Sequence, residues 1–286
     1  MPSYMSAIDD PEAPIQIIGL PYDSTTSYRS GSRFGPEAVR SASYCLENYD
    51  PILDLDLEDI SFGDAGDVEI PPGDPKRALS VITSALDEKV RPDSLVLGLG
   101  GEHLLTLPLV QRVLKNYEEK DLWFIHLDAH TDLRPGYLGE PYSHASIVWL
   151  VSKEIGFSKI RQLGIRSGTK PEWELMRLHN TLTGIDDKSV ASLVDWIGDD
   201  PVYLSVDLDV MDASLFPGTG APEPGGVSFA ELQRILNQFI GVNIVGADVM
   251  ELAPSLDPSG ASSVVAAKVV RTMLFLMASG MTGGEE

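Results

Sequence analysis

The chain has 286 residues, with 21 basic and 43 acidic side chains, a formal net charge of −22 and a hydrophobic fraction of 43%, a globular composition with ample material for a core. Its single cysteine, Cys45, excludes an internal disulfide, a CxxC redox pair and a multi-cysteine zinc site. A pI near 4.4 argues against nucleic acid, whose phosphates such a surface repels; the acidic N-terminus lacks the apolar stretch of a signal peptide, and the apolar runs fall short of the ~18 residues that cross a membrane. The acidic excess fits attraction of cationic substrates or a salty cytoplasm, and only 9 lysines stand against the 43 acids.

In chain order, Ile15–Leu20 reads as a buried strand, and Gly35-Pro36 opens a helix, with proline tolerated in the first turn. Asp59–Phe62 reads as a short strand. Asp74–Val90 reads as a helix, with Leu79, Ile82 and Leu86 three and four apart. Ser94–Leu99 is a strand, His103–Lys115 begins a helix, and Leu122–Leu127, Lys159–Leu163 and Val202–Val206 are strands. A capping box, Ser228-x-x-Glu231, opens another helix. Asn243–Ala247 is a strand and Ser262–Met277 the last long helix. Continuous apolar strands alternating with helices predict an α/β protein with a parallel sheet covered on both faces. No stretch reads as an interdomain linker, so residues 1–286 are expected to form one domain.

Ligands of open parallel sheets bind at the carboxyl ends of strands. After the strand ending at Leu99 come Gly100, Gly101, Glu102 and His103. After Leu127 comes Asp128-Ala129-His130-Thr131-Asp132, and after Val206 comes Asp207-Leu208-Asp209. In extended backbone alternate residues share a face, so Asp128, His130 and Asp132 can converge, as can Asp207 and Asp209. Four carboxylates in one pocket repel one another unless cations compensate them, and two divalent ions cancel their charge. Imidazole mixed with carboxylate suits Mn²⁺, and six ligands are too many for one catalytic zinc. His126 is expected to be a satisfied core histidine, and His179 an ordinary residue at a helix end. Gly98, Gly100 and Gly101 fail the dinucleotide spacing because position 103 is histidine; they are expected to admit close backbone approach near the metals.

These segments resemble the signatures of the ureohydrolase (arginase/agmatinase) family. Asp212, the run Pro217–Pro222 with Gly225-Gly226, and the first segment from Gly19-x-Pro21-x-Asp23 through Gly31, Gly35-Pro36 and Arg40 extend the match over nearly the whole chain. The resemblance implies a three-layer αβα sandwich on a largely parallel sheet of about eight strands, and two Mn²⁺ per chain. One metal would take His103, Asp128, Asp132 and Asp207; the other would take His130, Asp128, Asp207 and Asp209. It further implies hydrolysis through a metal-bridging hydroxide. Asp132 would shuttle a proton, His144 would be the acid/base histidine, and Glu251 would bind the guanidinium. Three positions depart from the family pattern: Leu104 follows the histidine where serine is common, Ala213 replaces proline, and Ala221 replaces threonine.

Residues Leu133–Ser143 should line the substrate tail. They read LRPGYLGEPYS, unlike the small polar pattern of arginases and similar to agmatinases of archaeal and bacterial type. The implied reaction is agmatine to putrescine and urea, in a cytoplasmic homotrimer or homohexamer with no nucleic-acid or membrane partner. The alternatives are aminopropyl-agmatine, guanidinobutyrate, arginine or formiminoglutamate as substrate, or a catalytically silent metal-binding regulatory subunit. Arg134 would favour a carboxylate tail, whereas Glu140 is a candidate for a distal amine but reads as a solvated loop acid.

Overall fold

A strand buried on both faces has no room for polar alternation, and the strands at the middle of this molecule obey that rule. The computed structural model describes residues 2–117 and 121–282. The strands are β1 (Ile15–Leu20), β2 (Tyr49–Asp50), β3 (Leu55–Asp56), β4 (Phe62–Asp67), β5 (Leu95–Gly100), β6 (Trp123–Leu127), β7 (Ile160–Leu163), β8 (Leu182–Thr183), β9 (Val202–Asp207) and β10 (Ile244–Met250). The helices are α1 (Gly35–Ser43), α2 (Pro75–Lys89), α3 (Thr106–Val113), α4 (Ile147–Ile155), α5 (Lys170–His179), α6 (Asp187–Ile197), α7 (Phe229–Asn237) and α8 (Ala261–Thr282).

Eight strands form one sheet in the order β4-β1-β5-β10-β9-β6-β7-β8, and every pairing within it is parallel. β2 and β3 make a small antiparallel ribbon beside it. One face of the sheet packs against apolar residues of α1, α6, α7 and α8, and the other against those of α2, α3, α4 and α5. This is the expected three-layer sandwich. β5, β10, β9 and β6 are neighbours at its centre, so their carboxyl ends open side by side.

Two expectations shift. The strand read at Asp59–Phe62 lies instead at Phe62–Asp67, after a 3-10 turn at Leu57–Asp59. Its sequence, FGDAGD, carries no apolar run because β4 is an edge strand held by charge. Buried Arg40 of α1 donates to both oxygens of Asp64 at 2.8 Å and also binds Asp67. The second correction concerns α8, which is long and apolar enough to cross a membrane by length and composition. Ser262, Lys268, Arg271 and Thr272 interrupt its apolar runs but leave its mean hydropathy high. It packs against α1, α7 and β10, and Val269 through Met277 are buried there, which accounts for its apolar character.

Candidate metal centre and its cavity

Each of the four central strands leads polar side chains to the same place. β5 runs through Gly101 and Glu102 into a 3-10 turn that begins at His103. β6 leads to Asp128, His130 and Asp132; β9 ends on Asp207 and continues into a 3-10 turn carrying Asp209; β10 is followed by Glu251. Simple strand alternation is therefore not what brings the acids together. Asp209 arrives through a 3-10 turn, and Asp132 has a left-handed backbone with φ 48°.

The imidazole and carboxylate atoms gather round two points. His103 Nδ1 lies 3.0 Å from Asp128 Oδ2, 3.1 Å from Asp207 Oδ2 and 3.6 Å from Asp132 Oδ2. His130 Nδ1 lies 2.9 Å from Asp209 Oδ2 and 3.5 Å from Asp128 Oδ1. Among the described residues, His103 Nδ1, His126 Nε2 and Asp128 Oδ2 have no partner in hydrogen-bonding geometry, although all three are buried. Buried polar atoms left this way ordinarily answer to an ion or a water. The outer contacts agree. Ser205 Oγ donates to Asp248 Oδ1 at 2.7 Å, so at 2.8 Å from His103 Nε2 it accepts that nitrogen's proton and leaves Nδ1 as the ligating atom. The donor set present thus fits divalent metal ions.

The electrostatics point the same way. Burial, with Asp209 and Asp128 alongside, holds Asp207 well above the usual carboxylate range, and burial with Asp128 does the same to Asp132. Burial works against a charged His130, yet Asp209 and Asp128 raise its pKa to about 12. Burial likewise opposes the charged form of His103, but Asp128 and Asp207 hold its pKa well above the usual histidine value. Protons stand in this cluster for positive charge that metals would supply.

One sequence expectation is corrected here. His126 is buried, but it is not a satisfied core residue: its Nε2 sits 3.0 Å from Asp128 Oδ2, and its ring stacks on His103 at 4.9 Å. The glycines at the end of β5 admit close backbone approach, as expected. A Cβ on Gly101 would meet the Leu20 and Tyr22 carbonyls, and one on Gly100 would meet Met250, so they admit neighbouring strands. His179 does close α5, stacked on Phe157 at 4.0 Å.

A cavity of about 360 Å³ opens over the cluster. His103, His130, Asp132, Asp207, Asp209, His144 and Glu251 line it, and Asp128 lies just beneath, at 1% exposure. Glu251 accepts a hydrogen bond from His103 N at 2.9 Å, and its backbone is left-handed, with φ 66°. Burial, then Asp207 and Glu102, hold its carboxyl well above the usual range. Arg134 and Tyr137 of the 133–143 segment reach the cavity wall, whereas Glu140 caps Tyr142 N away from it.

Sequence reading missed Thr26, Thr169, Glu172 and Arg166. Glu172 is buried, binds Thr131 Oγ1 at 2.7 Å and lies 3.5 Å from Arg134. Its signal was the capping box Thr169-x-x-Glu172 with Pro171 in the first turn. Arg166 donates to the carbonyls of Gly164, Asp209, Val210, Met211, Glu223 and Pro224, and so ties the loop after β9 to the end of β7. Arg166→Met is expected to cost about 2 kcal/mol in urea denaturation, since the carbonyls lose their donor. Arg166→Lys should recover little, because a single ammonium cannot span the fork.

A parallel αβα sandwich whose central strand ends meet in a His/Asp cluster defines a class, that of α/β proteins built round a divalent-metal centre. The chain belongs to the arginase family, whose model matches residues 13–276. It is 41% identical to an agmatinase of Bacillus cereus, over 92% of this chain and 91% of that one. It is 39% identical to an agmatinase of Bacillus subtilis over the same shares. The solved structure of proclavaminate amidino hydrolase from Streptomyces clavuligerus matches with a TM-score of 0.87 at 32% identity, covering 98% of both chains.

Proposed function

We propose that this chain is a binuclear-metal amidinohydrolase that cleaves agmatine to putrescine and urea. The observation carrying this reading is the union, in one cavity, of a two-point His/Asp cluster with a further buried carboxylate, Glu251, on the adjoining wall. Likeness to agmatinases along nearly the whole chain supports it.

Two Mn²⁺ would be held by His103, Asp128, Asp132 and Asp207 on one side and by His130, Asp128, Asp207 and Asp209 on the other. Bound there, they supply Lewis acidity that makes water nucleophilic near neutral pH. Glu251 orients the guanidinium, since an ionised carboxylate accepts two parallel N–H bonds, and the substrate's own positive charge favours ionisation in this acidic corner. Water adds to the guanidinium carbon, the bond from that carbon to the tail nitrogen breaks, and the leaving nitrogen takes a proton. Asp132 moves that proton, and His144 exchanges protons between cavity and solvent. Arg134 is engaged by Glu172 and stacked over Tyr137 at 5.0 Å, which favours an ammonium tail over a carboxylate. A cytoplasmic homotrimer or homohexamer is the companion expectation.

The test is urea release after preincubation with Mn²⁺, with agmatine, arginine, 4-guanidinobutyrate and aminopropyl-agmatine compared. Turnover of agmatine and not arginine is expected. Preference for a guanidino acid would overturn the tail assignment, and no urea from any of them would favour a silent binding subunit. His144→Ala should keep its metals while kcat falls about 100-fold; loss of metal would make His144 a ligand.

A further inference from the structure

The loop between β1 and α1 meets His144 at Thr25, and Thr25 is anchored on a buried acid. Glu102, fully buried, receives the Thr25 backbone N–H at 2.7 Å on one oxygen and the Thr25 hydroxyl at 2.7 Å on the other. Burial raises the Glu102 pKa to about 7; in its ionised form the carboxylate can only accept, so the single proton of that hydroxyl points to it. The Thr25 oxygen can then only accept. It accepts the His144 backbone N–H at 2.9 Å and faces His144 Nδ1 at 3.3 Å. A lone pair opposite an imidazole nitrogen favours the tautomer that carries the proton on that nitrogen. Ser143 Oγ also lies 3.3 Å from Nδ1, but it accepts from Ala145 N and keeps its own proton free, so it tolerates either tautomer. Thr25 favours Nδ1–H.

We propose that Thr25, backed by Glu102, is a positioning residue that holds His144 as the Nδ1–H tautomer and leaves Nε2 bare for the cavity. Burial lowers the His144 pKa to about 4, so the neutral ring, with one bare nitrogen, is the form present near neutral pH. The Tyr137 ring packs edge-to-face with the imidazole, the ring centres 5.8 Å apart. The arrangement is a carboxylate–hydroxyl–imidazole relay assembled from three separate segments. The catalytic consequence rests on the role proposed above for His144; the tautomer itself does not.

The test uses full-length protein labelled with ¹⁵N-histidine and loaded with diamagnetic zinc, the His144 signals being assigned by their loss in His144→Asn. Imidazole ¹⁵N shifts distinguish Nδ1–H from Nε2–H. The wild type should show Nδ1–H at His144. Thr25→Val, which keeps the shape and removes the hydroxyl, should release the second tautomer and lower kcat for agmatine about tenfold, with KM within about twofold. Thr25→Ser should restore both. An Nε2–H tautomer in the wild type overturns the proposal whatever the variants do, and so does a Thr25→Val protein with unchanged tautomer and unchanged kcat. Absence of agmatine turnover in the wild type would refute the functional reading while leaving the tautomer result to stand or fall alone.

Discussion

Asp207→Ala is expected to lose bound metal and turnover together, and to melt at a higher temperature than the wild type once both are stripped of metal. Asp207 stands between the two halves of the cluster: Oδ2 is 3.1 Å from His103 Nδ1, while Oδ1 accepts the Asp209 N–H at 2.8 Å. It is 3% exposed and shares its surroundings with Asp128 and Asp209. A carboxylate buried among carboxylates costs stability until cations compensate it. Removing one relieves the metal-free protein, at about 2–4 °C in Tm for each kcal/mol gained. The same removal ends the stabilisation by added metal, which for the wild type amounts to about 2.7 kcal/mol at a hundredfold excess over Kd. Metal analysis and thermal melts with and without chelator check both halves. A variant that holds two metals per chain and turns over normally would take Asp207 out of the centre.

Glu251→Gln is expected to lower kcat/KM for agmatine about 100-fold while metal content and Tm stay near wild type. Glutamine keeps the oxygen that accepts from His103 N, and it occupies the left-handed backbone position no worse than glutamate. What it loses is the charge. A hydrogen bond to a charged group contributes about 1.5–3 kcal/mol, which is one to two decades in kcat/KM. The loss should fall mainly on KM, because the guanidinium carries its full charge in the bound ground state. Steady-state kinetics alongside metal analysis decide it; a variant that loses metal and not substrate affinity would make Glu251 a support of His103 instead.

The parts of this molecule readable from sequence are those that burial writes plainly. β1, β5, β6, β9 and β10 are covered on both faces, so they appear as apolar runs, and the acids that follow them stand out by contrast. β4 did not appear in its true place because Asp64 and Asp67, which look like loop residues, are consumed by Arg40 across the layer. The acids near the centre were legible, but the way Asp132 and Asp209 reach it was not, since a left-handed residue and a 3-10 turn leave no periodic trace. Glu102, Thr25 and Glu172 were invisible as site residues for a different reason. Their meaning lies in contacts across 41 to 119 residues of chain, and each alone resembles a loop or capping residue.

The order of strands also bears on how such a protein can change over time. β5, β10, β9 and β6 lie side by side, yet the groups they present are drawn from residues 103 to 251. No single exon-sized segment carries the chemistry, so it cannot be acquired or lost piecemeal without the whole sheet. The cavity's outer wall is different in kind: Arg134 and Tyr137 come from one short stretch between β6 and α4. New guanidines can therefore be tried by exchanging that stretch alone, with the carboxylates left untouched beneath it. Diversity in this architecture is cheap at the rim and nearly closed to trial at the floor.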